Sequence, residues 1–448
     1  MKRHVFLAFL LIVAASVFAQ SGKKEIIKKG WNFGPLPVVG FSSDLGFQYG
    51  ACVDIFNYGD GSRYPNYNYK MNVEVSTYTK GSSTFRFYGD YNDIFPKTKL
   101  FVDVAYFIDK EFGFYGFNGY RGVFEKDIAV FKNNDSFYVD HNGKSAFNYM
   151  CRRQIRAIVS VKRPFPSCSR FFYAFGLGYF NNASDRLDVS GYDDQLSLFE
   201  LYREANLIKD DEKYGNVTQL KAGLIFDSRD HENDPCSGTY VEAVITGAPD
   251  LIDSHGYDFM TATAVFSQYY SFVKNHFTFA YRLGAQNVIA GDVPFHAMMN
   301  TNILFYKKLT TDALGGSNSL RGINPNGVVG KGYAWLNAEL RCRIYDFQFV
   351  KQNWIIGLNP FFDAGLVTQV FRADEQKQAW QTLCEKYAVS DIDDYIYSGK
   401  DESLHTALGC GLKLIMNHNL VVSVDAAKAL DKRDGDALKL YVGFNYIF

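Results

Sequence analysis

The chain has 448 residues, a net charge of −1, 21% charged side chains and 17% aromatic ones. A charge so close to zero leaves no electrostatic footprint for nucleic acid. A mean hydropathy of −0.17, with no long apolar run past residue 20, excludes a bundle of membrane helices.

The N-terminus reads as a secretory signal. Lys2 and Arg3 form a basic start, Val5 to Val13 is apolar, and Val17-Phe18-Ala19 matches a small-residue cleavage site. Residues 1–19 are expected to be removed, and the apolar run is too short to span a bilayer. No Cys follows the cut, so no lipid anchor is expected there. Residues 20–32, opening QSGKKEIIKKG, read as a short solvated periplasmic leader.

From residue 33 to 448 the dominant period is two. In Tyr333 to Tyr345, YAWLNAELRCRIY, the odd positions carry Asn337, Glu339, Arg341 and Arg343, while the even positions are all apolar. Near the C-terminus Leu438, Leu440, Val442, Phe444, Tyr446 and Phe448 share one face. Such alternation fits a membrane barrel with lipid outside and water inside. Strand-like runs recur at 33–41, 45–57, 67–80, 83–95, 98–109, 149–164, 169–182, 214–227, 238–248, 256–273, 276–290, 333–347, 352–366, 403–417, 419–429 and 437–448. These predict an all-β fold: an antiparallel transmembrane β-barrel of about 16 strands in the outer membrane. With the first strand starting in the periplasm, the long insertions 110–148, 183–213, 291–332 and 367–402 all fall on the outer side. That asymmetry is expected of outer-membrane barrels.

The seven Cys show no CxxC or metal-ligand spacing, so all read as structural and no metal or cofactor is expected. No histidine sits in a His-x-x-Glu-His or nucleophile-elbow context. The nearest approach to a triad, Asp253-Ser254-His255, is a run of loop neighbours that rarely converge. No catalytic residue is expected, and the chain is not read as an enzyme.

The loop LGGSNSLRGI, Leu314 to Ile323, carries a single arginine among glycines. By parity Glu339 on one neighbouring strand, and Asn359 and Asp363 on the next, point inward. A guanidinium can hold two carboxylates through its fixed fork of donors, with Gly315, Gly316 and Gly322 supplying tight turns. On the far side of the barrel, FDSRDHENDPCSG runs from Phe226 to Gly238. In the first strand, Pro35 and Pro37 interrupt FGPLPVVGF and weaken its pairing.

GGSNSLRG resembles the sixth-loop motif of the BamA/TamA (bacterial surface antigen) family of outer-membrane assembly barrels. Asp227, Arg229, Asp230, Pro235 and Gly238 match that family's conserved turn. FFDAG resembles the strand carrying its loop-contacting aspartate, and Phe448 matches its C-terminal aromatic signal. The resemblance spans about residue 31 to 448, with the four features in family order. It implies that Arg321 tucks into the barrel with Asp363 and Glu339 as partners. It also implies a weak seam between first and last strands, marked by Pro35, Pro37 and Phe448, that opens toward the membrane. Family members usually carry periplasmic POTRA domains, whereas this chain is expected to be a barrel-only member. The implied function is insertion or translocation of outer-membrane or surface proteins, with the lipid bilayer, unfolded clients and periplasmic accessory proteins as partners. Two other readings stand beside it. One is a passive pore lined by Asn72, Glu74, Asp103, Arg282, Gln286, Glu339 and Arg341. The other is a surface receptor binding through loops such as Ala379 to Tyr397.

Overall fold

The computed structural model describes residues 26–42, 45–121, 128–132, 136–140, 147–187, 195–252, 255–273, 276–305, 312–387, 401–444 and 446–448. The expected signal peptide and the start of the leader lie outside them, as do Asp253 and Ser254 of the triad-like run and most of the loop after residue 387.

The strands are β1 (Trp31–Ser42), β2 (Gly46–Asn57), β3 (Tyr69–Tyr78), β4 (Ser83–Phe95), β5 (Thr98–Gly113), β6 (Ile128–Lys132), β7 (Ser136–Asp140), β8 (Tyr149–Phe165), β9 (Cys168–Asp185) and β10 (Gln195–Leu196). They continue as β11 (Tyr214–Asp227), β12 (Gly238–Ala248), β13 (Phe259–Val273), β14 (Phe277–Gly291), β15 (Gly332–Phe349), β16 (Gln352–Gln369), β17 (His405–Met416), β18 (Leu420–Ala429) and β19 (Lys439–Phe444). Strands β1–β5, β8, β9 and β11–β19 close into one 16-stranded antiparallel barrel, each beside its neighbour in the chain and β19 beside β1. Strands β6, β7 and β10 form a separate small sheet within the long insertions. Away from the β1–β19 junction, closure pairs the wall's backbone groups internally, as a bilayer demands.

Alternation decides which side chains face where. Val104, Leu220, Leu283 and Leu412 are exposed on the outer face, while their neighbours Asp103, Gln219, Arg282 and Lys413 are buried inside. The apolar outer face is the surface a bilayer covers. At one end the connections are tight. The residues Lys97, Val350, Lys351, Asn417 and His418 in three of these turns have φ between +49° and +61°, the left-handed conformation that two-residue hairpin turns require.

The opposite end carries all four long insertions, and these fold on one another. Helix α1 (Leu198–Glu204) starts at a capping box in which Ser197 and Glu200 satisfy each other's free N–H groups. Helix α2 (Phe295–Met298) is buried throughout, and α3 (Ala373–Tyr387) turns Ala379, Trp380, Leu383 and Tyr387 inward. With Phe114, Phe117, Phe199, Tyr202 and Phe295 they form one apolar cluster over that mouth of the barrel. The sequence alternation does not reveal this cap, because its apolar residues come from four distant segments.

The C-terminus differs from expectation. Strand β19 ends at Phe444, and Tyr446, Ile447 and Phe448 are buried instead of continuing on the outer face. The cause lies on the inner wall. Arg341 Nη2 donates to the Phe448 carbonyl at 2.6 Å and Arg282 Nη1 to the Ile447 carbonyl at 3.1 Å. The Arg341 guanidinium lies 3.9 Å from the Tyr446 ring centre. Two buried arginines need acceptors, and the Ile447 and Phe448 carbonyls supply one to each.

Candidate functional site

The loop between β14 and β15 brings Arg321 against the inner faces of β15 and β16. The Arg321 side chain is 1% exposed. Its Nε and Nη2 donate to the two oxygens of Asp363 at 2.9 and 3.0 Å, and Nη1 donates to Glu339 at 2.8 Å. The Arg321 backbone N–H also donates to Asp363, at 3.0 Å. The guanidinium stacks 3.4 Å from the centre of the Phe361 ring, and Asp425 of β18 stands 3.9 Å away. A planar fork saturated in this way has no equivalent in lysine.

The glycines shape the turn that delivers this arginine. Gly315 has φ +119° and Gly322 has φ +90°, and a Cβ at Gly315 would stand 2.0 Å from the Asn324 carbonyl oxygen. Gly316 donates to the Ile323 carbonyl at 3.0 Å. The Gly322 N–H reaches the Tyr441 hydroxyl of β19 at 3.3 Å.

Several partners carry no mark in the sequence. Asn337 donates to Asp363 and to the Ser319 carbonyl, both at 2.7 Å, and accepts from Arg282. Its inward parity was readable, but its pairing was not. Asn302 Nδ2 donates to Thr261 at 2.9 Å, and Glu242 accepts from the Leu304 and Phe305 N–H groups. The same loop is therefore held at a second place, about 17 residues before Arg321.

His296 of α2 belongs to this loop too. Burial pushes its imidazole down to about 4, against the pull of the neighbouring Glu212. Its Nδ1 faces the Glu212 carbonyl at 3.2 Å, and His255 lies on the same side. A histidine kept neutral by burial favours the folded state above its unfolded value near 6.5. That stabilisation is lost as pH falls from about 6.5 toward 4, because only the unfolded chain gains the proton readily. The hydrogen-exchange protection of residues 293–305, taken relative to the intrinsic exchange rate at each pH, is expected to fall between about pH 7.5 and 5. The local destabilisation should be about 2 kcal/mol, and His296→Gln should flatten the profile.

The turn 228–237 sits at the short-turn end. Arg229 forks onto Asp227 at 2.8 and 2.9 Å. Asp230 accepts the Cys236 and Ser237 N–H groups, and Gly238 has φ +102° with the Ser228 carbonyl where a Cβ would go. The Pro235 carbonyl faces Arg341 at 3.4 Å. The functional neighbour missed here is Asp234. It accepts from Arg343 at 2.6 Å and pairs with His418 at 2.8 Å. Although burial opposes its charge, Arg343 and His418 hold its carboxyl down to about 2. Both turn and loop thus converge on β15, from opposite ends of the barrel.

Among the described residues the β1–β19 register comprises Phe41 with Val442 and Ser42 with Tyr441, while β1 pairs with β2 over its whole length from Trp31 to Ser42. Pro35 and Pro37 stand opposite Val53 and Ala51. Phe448 is not in the seam but inside, against Tyr269. Next to the seam the lumen keeps a cavity of about 330 Å³, lined by Val38, Phe41, Asp54, Glu74, Asp425 and Val442 among others. The remaining inward polar residues of the pore reading are engaged. Asp103 bridges Arg86 and Arg156, Asn72 donates to Asp54, and Gln286 donates to the Asn300 carbonyl.

Sixteen antiparallel strands, an apolar outer wall, a charged inner one and loops segregated to one end define a β-barrel of the outer membrane. A sequence model of the Omp85 superfamily domain matches residues 129–446, and the chain belongs to that superfamily, whose barrels work in the outer membrane with protein clients. The fold is similar to BamA from Haemophilus ducreyi lacking POTRA domains 1-3, at 14% identity and a TM-score of 0.51, covering 93% of this chain and 70% of that one. It is also similar to CdiB from Escherichia coli, at 12% identity and a TM-score of 0.52, covering 94% of this chain and 63% of that one. The chain thus spans less than two thirds of CdiB. No curated protein matches it in sequence.

Proposed function

We propose that this barrel assists insertion or translocation of outer-membrane or surface proteins, with the 291–332 loop held in the lumen and the β1–β19 seam as the exit. The observation that carries the reading is the seam. Among the described residues two pairs join β1 to β19, against twelve between β1 and β2. An edge with so few partners can accept an incoming strand through its free backbone groups. The Arg321 cluster supports a scaffolding role: it fixes a loop by charge and offers no nucleophile or base for bond cleavage. The clients would be unfolded outer-membrane or surface proteins. Periplasmic accessory proteins would deliver these clients to the barrel. A passive pore fits less well, because the inward polar side chains named for it already hold hydrogen-bond or ion-pair partners on the wall, the inserted loop and the C-terminus.

The test is depletion of the protein from its host followed by quantification of the outer-membrane proteome. Selected barrels or surface proteins should fall, and a chain carrying Arg321→Ala should fail to restore them. An unchanged proteome with reduced solute uptake would refute assembly and favour the pore.

A further inference from the structure

We propose that the chain carries a neutral polar strap across the open half of its own seam, one that an extended polypeptide segment can displace. The inference rests on the seam reading above, and the strap is a hold that must be released before the seam can widen.

Both β1–β19 pairs lie at the long-loop end of β1, at residues 41 and 42. Toward the short-turn end, residues 31–40 pair with β2 alone among the described residues. A strand edge left open over that length should splay, yet the ends on either side of it are tied together. On the β1 side stand residues 26–30 and the β2–β3 turn. On the β19 side stand the β15–β16 and β17–β18 turns.

Asn353 accepts from the Ile26 N–H at 3.1 Å and donates to the Ile26 carbonyl at 3.1 Å. Lys28 Nζ donates to the Lys351 carbonyl at 2.5 Å. The Tyr64 hydroxyl accepts from Asn353 at 3.2 Å and donates to Asn417 at 3.4 Å. Asn419 donates to the Tyr58 hydroxyl at 3.1 Å and to the Pro65 carbonyl at 2.6 Å. Every one of these bonds crosses the seam.

Each end of the strap is anchored in its own half. Gly30 and Tyr58 are tied by the backbone bonds Gly30 N–H to Gly59 and Tyr58 N–H to Gly30, at 2.8 and 2.9 Å. Phe56, Tyr58 and Tyr67 pack as a buried cluster, and the Tyr67 hydroxyl donates to Asp90. Across the seam the Asn417 N–H donates to the Asn353 carbonyl at 2.9 Å, and Asn233 donates to Asn419 at 3.2 Å. A pull on one half is therefore transmitted to the other through the strap.

The chemistry of the strap differs from that of the Arg321 cluster. Arg321 is held by buried opposite charges, which are costly to separate. In the strap the acceptors are uncharged, and Lys28 supplies the sole ionic donor. Its contacts are mostly half-exposed, so water or another amide can take either place. Asn353 treats Ile26 as a neighbouring strand would, giving one bond to its carbonyl and taking one from its N–H. An extended segment presents the same alternating groups, so its backbone can replace either partner. That defines the ligand class: an unfolded polypeptide arriving at the periplasmic rim beneath the unpaired stretch of β1.

The experiment places nitroxide labels at Val39 and Val424, both exposed on the outer face, in full-length chain lacking native cysteines and reconstituted in lipid vesicles. Pulsed EPR distances are compared between this parent and an Asn353→Ala/Asn419→Ala variant. Loss of the strap should lengthen or broaden the distribution by about one strand spacing, roughly 5 Å. Tyr64→Phe, which removes one hydroxyl, should give a smaller shift in the same direction and serves if the double variant does not fold. Distances that match the parent in both variants overturn the strap. If they widen while a covalently closed seam still inserts clients, the strap stands and the exit reading fails.

Discussion

Arg321→Ala is expected to be the most damaging single substitution in the chain. It removes the donor fork shared by Asp363 and Glu339, both 0% exposed as side chains. Glu339 retains Arg341 at 3.0 Å, but among the described residues Asp363 keeps Asn337 alone as a side-chain donor. Stripping one partner from a buried pair costs about 3–5 kcal/mol, because a charge is left without compensation. The unfolding midpoint of the purified barrel in urea, read by its heat-modifiable migration, should drop accordingly. Arg321→Lys should recover little, since one ammonium cannot fork onto both carboxylates while lying flat on Phe361. Removing the stranded charge as well, in Arg321→Met/Asp363→Leu, should recover much of the stability without recovering client insertion. The same variants should raise single-channel conductance in planar bilayers, because the loop loses its grip on the inner wall. A midpoint within about 0.5 kcal/mol of the parent would show that the ion pair contributes nothing to holding the loop.

Closing the seam should abolish client insertion while leaving the barrel folded. Phe41 and Val442 are register partners, and cross-strand partners place their Cβ atoms within about 5.5 Å, close to disulfide geometry. A chain with its seven native cysteines replaced, carrying Phe41→Cys and Val442→Cys, should oxidise readily. Insertion of a reporter barrel into vesicles should then fall by at least tenfold and return on adding reductant. Reversal within one sample separates a gate from a folding defect. Equal insertion in the oxidised and reduced forms would end the exit reading.

How much of this was legible beforehand depends on the range of each interaction. Alternation in Tyr333 to Tyr345 placed Asn337, Glu339 and Arg341 on one face, because side-chain direction in a strand depends only on parity. The glycines of Gly315-Gly316 and Gly322 marked tight turns around Arg321, and the motif resemblance singled out Asp363. The family resemblance ran the length of the barrel. Asn302, Glu242 and Asp234 left no such trace. Each acts through a partner tens of residues away, and nothing local distinguishes it from other inward polar residues.

Tyr446 to Phe448 make the same point in reverse. Parity alone continued β19 onto the outer face, but Arg282 and Arg341 draw the last carbonyls inside. The cap over the long-loop mouth was likewise unreadable, since Phe117, Phe199, Phe295 and Trp380 meet only once the barrel has brought their loops together. The amino-acid sequence by itself determined the strand number, the inward and outward faces and the end that carries the long loops, all of which follow from period and spacing. The tertiary structure was needed for the side chains that brace the carboxylates paired with Arg321, for where the C-terminus goes and for how few pairs close the seam among the described residues, because closing a barrel juxtaposes residues that no local rule relates.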